Sequence, residues 1–146
     1  MYSLRLWSVR HARGMERLYE AINPPIIAAL KLATRIFGKR LDRPVTALEA
    51  AGKRLFFDCK MCGNCVLSST GMSCPMNCPK TIRNGPCGGV RENGMCEVKP
   101  EMLCVWVAAW DGASRMAGGN AIHDLQFAVN SRHKGQSSWL RLARDE

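Results

Sequence analysis

The sequence predicts a small single domain, mainly α-helical, with a loop-rich cysteine segment at its centre that must be nucleated by metal. Three observations lead there. All eight cysteines fall between Cys59 and Cys104. The segment holding them has no aromatic residue and no histidine, and Gly, Pro and Cys dominate its punctuation. On either side of it, helical periodicity returns. A chain of 146 residues suits one modest domain, and 47% apolar with 23% charged residues is the composition of a globular chain.

The flanking elements follow in order. NPPIIAALKLATRIFGKR, from Asn23, offers an N-cap, prolines at the first helical positions, and a stop at Gly38. Its apolar residues Ile26, Ile27, Leu30, Ala33 and Phe37 lie at helical spacing, so an amphipathic helix is expected over 24–37. Thr46 and Glu49 have the spacing of a capping box, which predicts a second helix over 46–57. Lys99-Pro100 opens a third, over 99–116, with Leu103, Val107 and Trp110 on one side and Gly118-Gly119 beyond its end. The closing SSWLRLARDE is expected to form a short helix or turn.

Between these helices, ordering the backbone costs about 1–2 kcal/mol per residue. The segment 59–104 returns little for it, since its apolar residues include five methionines and few bulky aliphatics at regular spacing. Something inorganic is expected to hold it.

The net charge of +9 is unevenly spread: residues 1–58 carry eleven Lys/Arg against five Asp/Glu, and residues 105–146 carry five against four. A basic face of this kind attracts nucleic acid, an anionic membrane or an acidic protein. The chain lacks a run of five basic residues and any interleaved aromatic pattern, which argues against nucleic acid. No apolar run approaches the roughly 18–20 residues of a membrane span. MYSLRLWSVRHARG carries three arginines and no acid, and is expected to be a solvated basic arm rather than an organellar targeting peptide. With no secretory signal in the sequence, a cytoplasmic location is expected and disulfides are not.

The candidate ligands are therefore Cys59, Cys62, Cys65, Cys74, Cys78, Cys87, Cys96 and Cys104. CKMCGNC is C-x2-C-x2-C, the spacing that brings three successive thiolates to three corners of a four-iron four-sulfur cube. Zinc ribbons normally use two separated C-x2-C knuckles, whereas here C-x3-C is followed by widely spaced single cysteines. Cys74 and Cys78 are each followed by proline, as is the last ligand of the bacterial ferredoxin run. Gly85, Gly88 and Gly89 permit close backbone approach and N–H donation around Cys87. Eight thiolates match two 4Fe-4S clusters, which would lower the net charge to roughly +5. Zinc, or one cluster with one zinc, remains the alternative. Cys59, Cys62 and Cys65 either join one distant cysteine, leaving four for a second centre, or share an interleaved arrangement.

Other residues have ordinary readings. Trp106 and Trp110 are expected in the core, with a partner-facing patch as the alternative. His11, His123 and His133 lie outside the cysteine segment, and Lys80, Arg83 and Arg91 are expected to be solvated loop charges. No Ser-His-Asp, phosphate-loop or paired-carboxylate arrangement stands out.

CKMCGNCVLSSTGMSCPMNCPKTIRNGPCGGVRENGMCEV, the CVW at 104–106 and Ser137-Ser138-Trp139 together resemble the cysteine-rich C-terminal domain associated with methylenetetrahydrofolate reductases. The resemblance covers about residues 44–140, and assigns 44–146 to that domain and 1–43 to a basic arm and amphipathic helix without a counterpart. The tail LRLARDE also departs from the family's asparagine-bearing ending. In the family this domain is fused to the reductase or stands as a small partner subunit. The resemblance implies an accessory iron-sulfur electron-transfer subunit, non-catalytic alone, in one-carbon (tetrahydrofolate) metabolism. It implies a flavoprotein methylenetetrahydrofolate reductase as partner, with the flavin and folate sites there, and an electron-donor protein. A structural zinc module docking on the reductase is the alternative.

Overall fold

A computed structural model describes residues 2–144 of the chain. Five α-helices surround the cysteine segment: α1 (Tyr2–Arg10), α2 (Ala12–Phe37), α3 (Asp42–Phe57), α4 (Val105–Arg115) and α5 (Ser138–Arg144). Single 3-10 turns connect them at Gly38–Leu41, Gly119–His123 and Ser131–His133. The predicted mainly helical, loop-rich single domain is what is found. No described helix is long and apolar enough to cross a membrane.

The N-terminus is a helix rather than a solvated arm. Arg5, Ser8 and Val9 of α1 are buried, and the Ser8 hydroxyl donates to the Phe56 carbonyl at 3.0 Å. At the far end, the Leu103 N–H donates to the Tyr2 hydroxyl at 2.9 Å. Helix α1 thereby packs on both α3 and α4. Met1 lies outside the described residues.

The helix expected over 24–37 begins twelve residues earlier, at Ala12, and Pro24 and Pro25 lie inside it. Each proline removes one backbone donor, which frees a carbonyl one turn back. Glu20 and Ala21, where those carbonyls lie, are exposed, so water can satisfy them. Before the prolines the helix is anchored by Ala12, fully buried, and Glu16, 5% exposed. The Glu16 carboxylate accepts from the Ala117 and Gly118 N–H groups, both at 2.7 Å, and so fixes the chain as it leaves α4.

Helix α3 starts at Asp42 rather than Thr46, so the expected capping box does not form. Thr46 lies within the helix, and Glu49 turns inward to distant partners. At the other end Asp58 takes a left-handed conformation, φ 50° and ψ 47°, with its N–H donating to the Arg54 carbonyl. That reversal releases the chain into the cysteine segment.

The third predicted helix is shorter than expected, because residues 99–103 pair outside it. Met95 bridges Leu103, and the Cys96 N–H donates to the Met102 carbonyl at 2.9 Å. Leu103 therefore is not on the helix with Val107 and Trp110. Cys104 holds the N-cap position, and α4 begins at Val105. The final segment forms α5 from Ser138, and its last two residues lie outside the described residues.

Two apolar clusters tie helices to the cysteine segment. Ala12, Leu67, Met72, Cys74 and Met116 form one; Cys104, Trp106 and Ala109 form the other, with Val90, Val107 and Ile122 against it. The methionines contribute more packing than the expectation of a segment without a core allowed: Met61, Met72 and Met102 are all buried. Their unbranched side chains fill the irregular gaps that turns leave.

Candidate metal centre

Cys59, Cys62, Cys65 and Cys74 line one small cavity, about 20 Å³, together with Glu49, Lys53, Arg83 and Ser138. The loop 59–65 is shaped for this by its backbone. Met61 and Gly63 have φ of 48° and 75°. A side chain at Gly63 would also place its first carbon 2.1 Å from the His133 carbonyl oxygen, so only glycine fits. The Gly63 carbonyl accepts from Arg141 at 2.6 Å, and the Gly135 N–H donates to the Met61 carbonyl at 2.7 Å. Cys74 arrives from the other side. Its neighbour Ser73, 1% exposed, donates to the Val105 carbonyl at 2.9 Å, which pins it to the start of α4.

Exposure grades across the four: Cys74 is buried, Cys59 and Cys62 are half-buried, and Cys65 is exposed. Burial pushes the Cys74 thiol up to about 12, and raises that of Cys59 as well. Without a metal both are thiols at neutral pH, and binding one would release their protons. Small polar contacts hold the sulfurs: the Met61 N–H donates to Cys59 Sγ at 3.3 Å, and the Cys62 thiol faces the Asn64 carbonyl at 3.6 Å.

The other four cysteines lie farther along the segment. Cys78, Cys87 and Cys96 are half-buried and Cys104 is buried. Cys96 bridges Val90, and the Cys104 N–H donates to the Gly94 carbonyl at 3.0 Å, which joins the strand-like ends of 90–104. Lys80 Nζ lies 3.9 Å from Cys87 Sγ and pairs with Glu97, both side chains at least 40% exposed. The Gly85 backbone comes so close to Trp106 that a side-chain carbon there would sit 2.6 Å from the indole. Trp106, 3% exposed, in turn donates to the Ile82 carbonyl at 3.0 Å.

The sequence does not announce Glu49 and Lys53. Glu49 is 1% exposed, and its carboxylate accepts from Lys53, from the Ser137 hydroxyl, and from the Ser138 hydroxyl at 2.5 Å. Burial alone would raise the carboxyl's pKa, but the Lys53 charge and the two hydroxyls reverse this and hold it below the ordinary 4.5. Lys53 also donates to Ser138 at 2.8 Å and lies over the Trp139 ring, 5.3 Å from its centroid. Ser137 caps α5, receiving the Leu140 N–H at 3.1 Å. One buried ion pair thus joins α3, α5 and the first cysteine set.

Arg83 is not a solvated charge, since it donates to the Phe127 and Asn64 carbonyls at 3.1 and 3.4 Å. The histidines do not line the cysteine cavity. His11 stacks on Trp7 at 4.4 Å, His123 meets Trp110 edge-on at 5.0 Å, and His133 lies 3.1 Å from Asn130. Trp106 is core as expected, whereas Trp110 is 39% exposed. A second, larger cavity of about 720 Å³ shares Cys65, Lys53 and Ser138 with the first, and is lined by Tyr19, Ile22, Phe56 and Trp139.

Among the described residues no three His, Cys, Asp or Glu side chains converge closely enough to grip a metal ion. A single zinc would need four sulfurs at about 2.3 Å from one point. The four thiols around the first cavity have the chemistry of a thiolate-bound centre. All eight cysteines are free thiols.

A small helical domain organised around a cysteine-rich loop is thus the class that fold and site define. The chain belongs to the family described as methylene-tetrahydrofolate reductase C terminal, whose model matches residues 39–132. No curated protein and no solved structure matches it.

Proposed function

We propose that this protein is an accessory iron-sulfur electron-transfer subunit of a flavin-dependent methylenetetrahydrofolate reductase in one-carbon metabolism. The observation that carries the reading is the gathering of Cys59, Cys62, Cys65 and Cys74 around one cavity in a chain of this family. These four would hold one 4Fe-4S cluster, and Cys78, Cys87, Cys96 and Cys104 a second. When bound, such clusters supply one-electron storage.

The chain's own residues do the rest. Ala12, Met72 and Met116 exclude water behind Cys74, while Cys65 lies toward the surface. The loop 59–65, tied down by Arg141 and Gly135, would have to spread as the cavity fills. Loading and the final shape of this segment are therefore coupled. The flavin and folate sites belong to the reductase partner, with an electron-donor protein on the other side of the relay.

The test is anaerobic co-expression with a flavoprotein methylenetetrahydrofolate reductase. The expected product is a brown complex whose small subunit holds about eight iron and about eight acid-labile sulfide. A colourless subunit with stoichiometric zinc would replace the relay by a structural module, since zinc has no accessible redox state.

A further inference from the structure

We propose that the outer face of α2 is a self-association surface, on which a second copy of this chain lays its own α2 antiparallel, about a two-fold axis level with residue 27. Half-buried Asn23, Ile27, Leu30 and Thr34 mark the side of the helix turned to the rest of the chain, and α2 packs on α5. The other side carries Leu18, Ile22, Pro25, Ala29, Leu32 and Ile36, every one of them exposed. Their spacing alternates four and three residues, which keeps them in one line along a helix and is the repeat of a coiled-coil seam. The large ones are far from covered: Leu18 is 53%, Ile22 41%, Leu32 61% and Ile36 67% exposed. The whole stripe precedes residue 39, where the match to the family begins, so it lies outside the matched domain.

The order of sizes along the stripe says what covers it. Two large residues, two small and two large read the same from either end. With two copies of α2 antiparallel, Leu18 of one meets Ile36 of the other, Ile22 meets Leu32, and Pro25 meets Ala29. Large faces large toward both ends, and the small pairs at the middle let the backbones approach. One surface is thereby complementary to itself, as a two-fold interface requires.

Parallel copies would match sizes equally well, and charge decides between the two. The positions adjoining the stripe within the seam are Tyr19, Ala21, Ile26, Ala28, Ala33 and Arg35, with one charge among them. Such positions set orientation in paired helices. Parallel packing brings Arg35 beside the partner's Arg35. Antiparallel packing brings it beside the partner's Ala21, in a turn where Arg17 and Glu20 balance each other. One helix face per copy is near the small end of specific interfaces, about 1,200 Å² in total, so the dimer is expected to depend on concentration.

The test is sedimentation equilibrium of the full chain in reducing buffer from ~1 to ~200 μM, where a contact of that size should associate. The wild type is expected to pass from monomer to dimer. Ile22→Glu and Leu32→Lys, each alone, bury an unpaired charge in the seam and should weaken association at least about tenfold. Mixed in equal amounts they should dimerise again, because only antiparallel packing sets the new glutamate against the new lysine. Leu48→Glu, at a 72% exposed position on α3, should dimerise as the wild type does. Should Ile22→Glu not fold by circular dichroism, Leu18→Glu mixed with Ile36→Lys carries the same expectation. A wild type that stays monomeric throughout would overturn the proposal, and its binding to vesicles of anionic phospholipid, lost in Leu32→Glu, would give the stripe to a membrane surface instead. A dimer that survives both seam variants, or a mixture that fails to restore it, would overturn the antiparallel pairing.

Discussion

Two lysine–glutamate pairs stand beside cysteines of the central segment, and burial separates them. Lys53–Glu49 is enclosed by α3, α5 and the loop of Cys59, Cys62 and Cys65, with side chains 12% and 1% exposed. Lys80–Glu97, beside Cys87, is 40% and 44% exposed. The same residue types therefore do different work. In the first region the pair is structural, because neither charge can be left alone out of water. In the second, water solvates each charge whether or not it is paired.

Removing Glu49 should break the comparison most visibly. Glu49→Ala leaves the Lys53 ammonium buried and takes the acceptor from Ser137 and Ser138, so a loss of about 3–5 kcal/mol is expected in denaturant unfolding. The acid limb of stability reports the same pair. Glu49 has a folded pKa below its ordinary 4.5, so its contribution is complete above that value and is lost as pH falls through the folded one. The stability gap between the wild type and Glu49→Gln should accordingly narrow as the pH is taken below 4.5. A constant gap would mean that the carboxylate's charge is not what stabilises.

A smaller effect is expected where one neutral hydrogen bond joins the first cysteine set to α4. Ser73→Ala leaves the Val105 carbonyl without that donor, and should cost about 1–3 kcal/mol by the same unfolding measurement. At the bottom of the scale, Lys80→Ala should leave the melting temperature within error, since the pair it breaks is on the surface.

Helical periodicity was a sound guide to where helices lie and a poor one to where they start. The stretch 26–33 was legible because its apolar residues recur at helical spacing. The prolines at 24 and 25 looked like a beginning because that is their commonest place, yet exposed carbonyls behind them let the helix continue back to Ala12. Thr46 and Glu49 have the spacing of a cap and also of a helix interior. What decides between them is Ser137, 88 residues away, and no local pattern contains it.

Among the cysteines, spacing identified Cys59, Cys62 and Cys65 as a group but left their fourth companion open. Cys74 joins them because Ser73 and the packing of Met72 and Ala12 bring the segment back across the loop, a tertiary fact. Lys53 had no signal of its own and Glu49 only that of a cap, and the late Ser137-Ser138-Trp139 stood out without showing what it bound.

The central claim is the division of the eight cysteines, and iron counting on two variants tests it most directly. In anaerobically loaded protein, the double variant Cys59→Ser, Cys74→Ser should fall from about eight iron to about four, and Cys87→Ser, Cys96→Ser should also fall to about four. The two remainders should have different midpoints. Loss of all iron from either variant, or about eight retained in either, would contradict it.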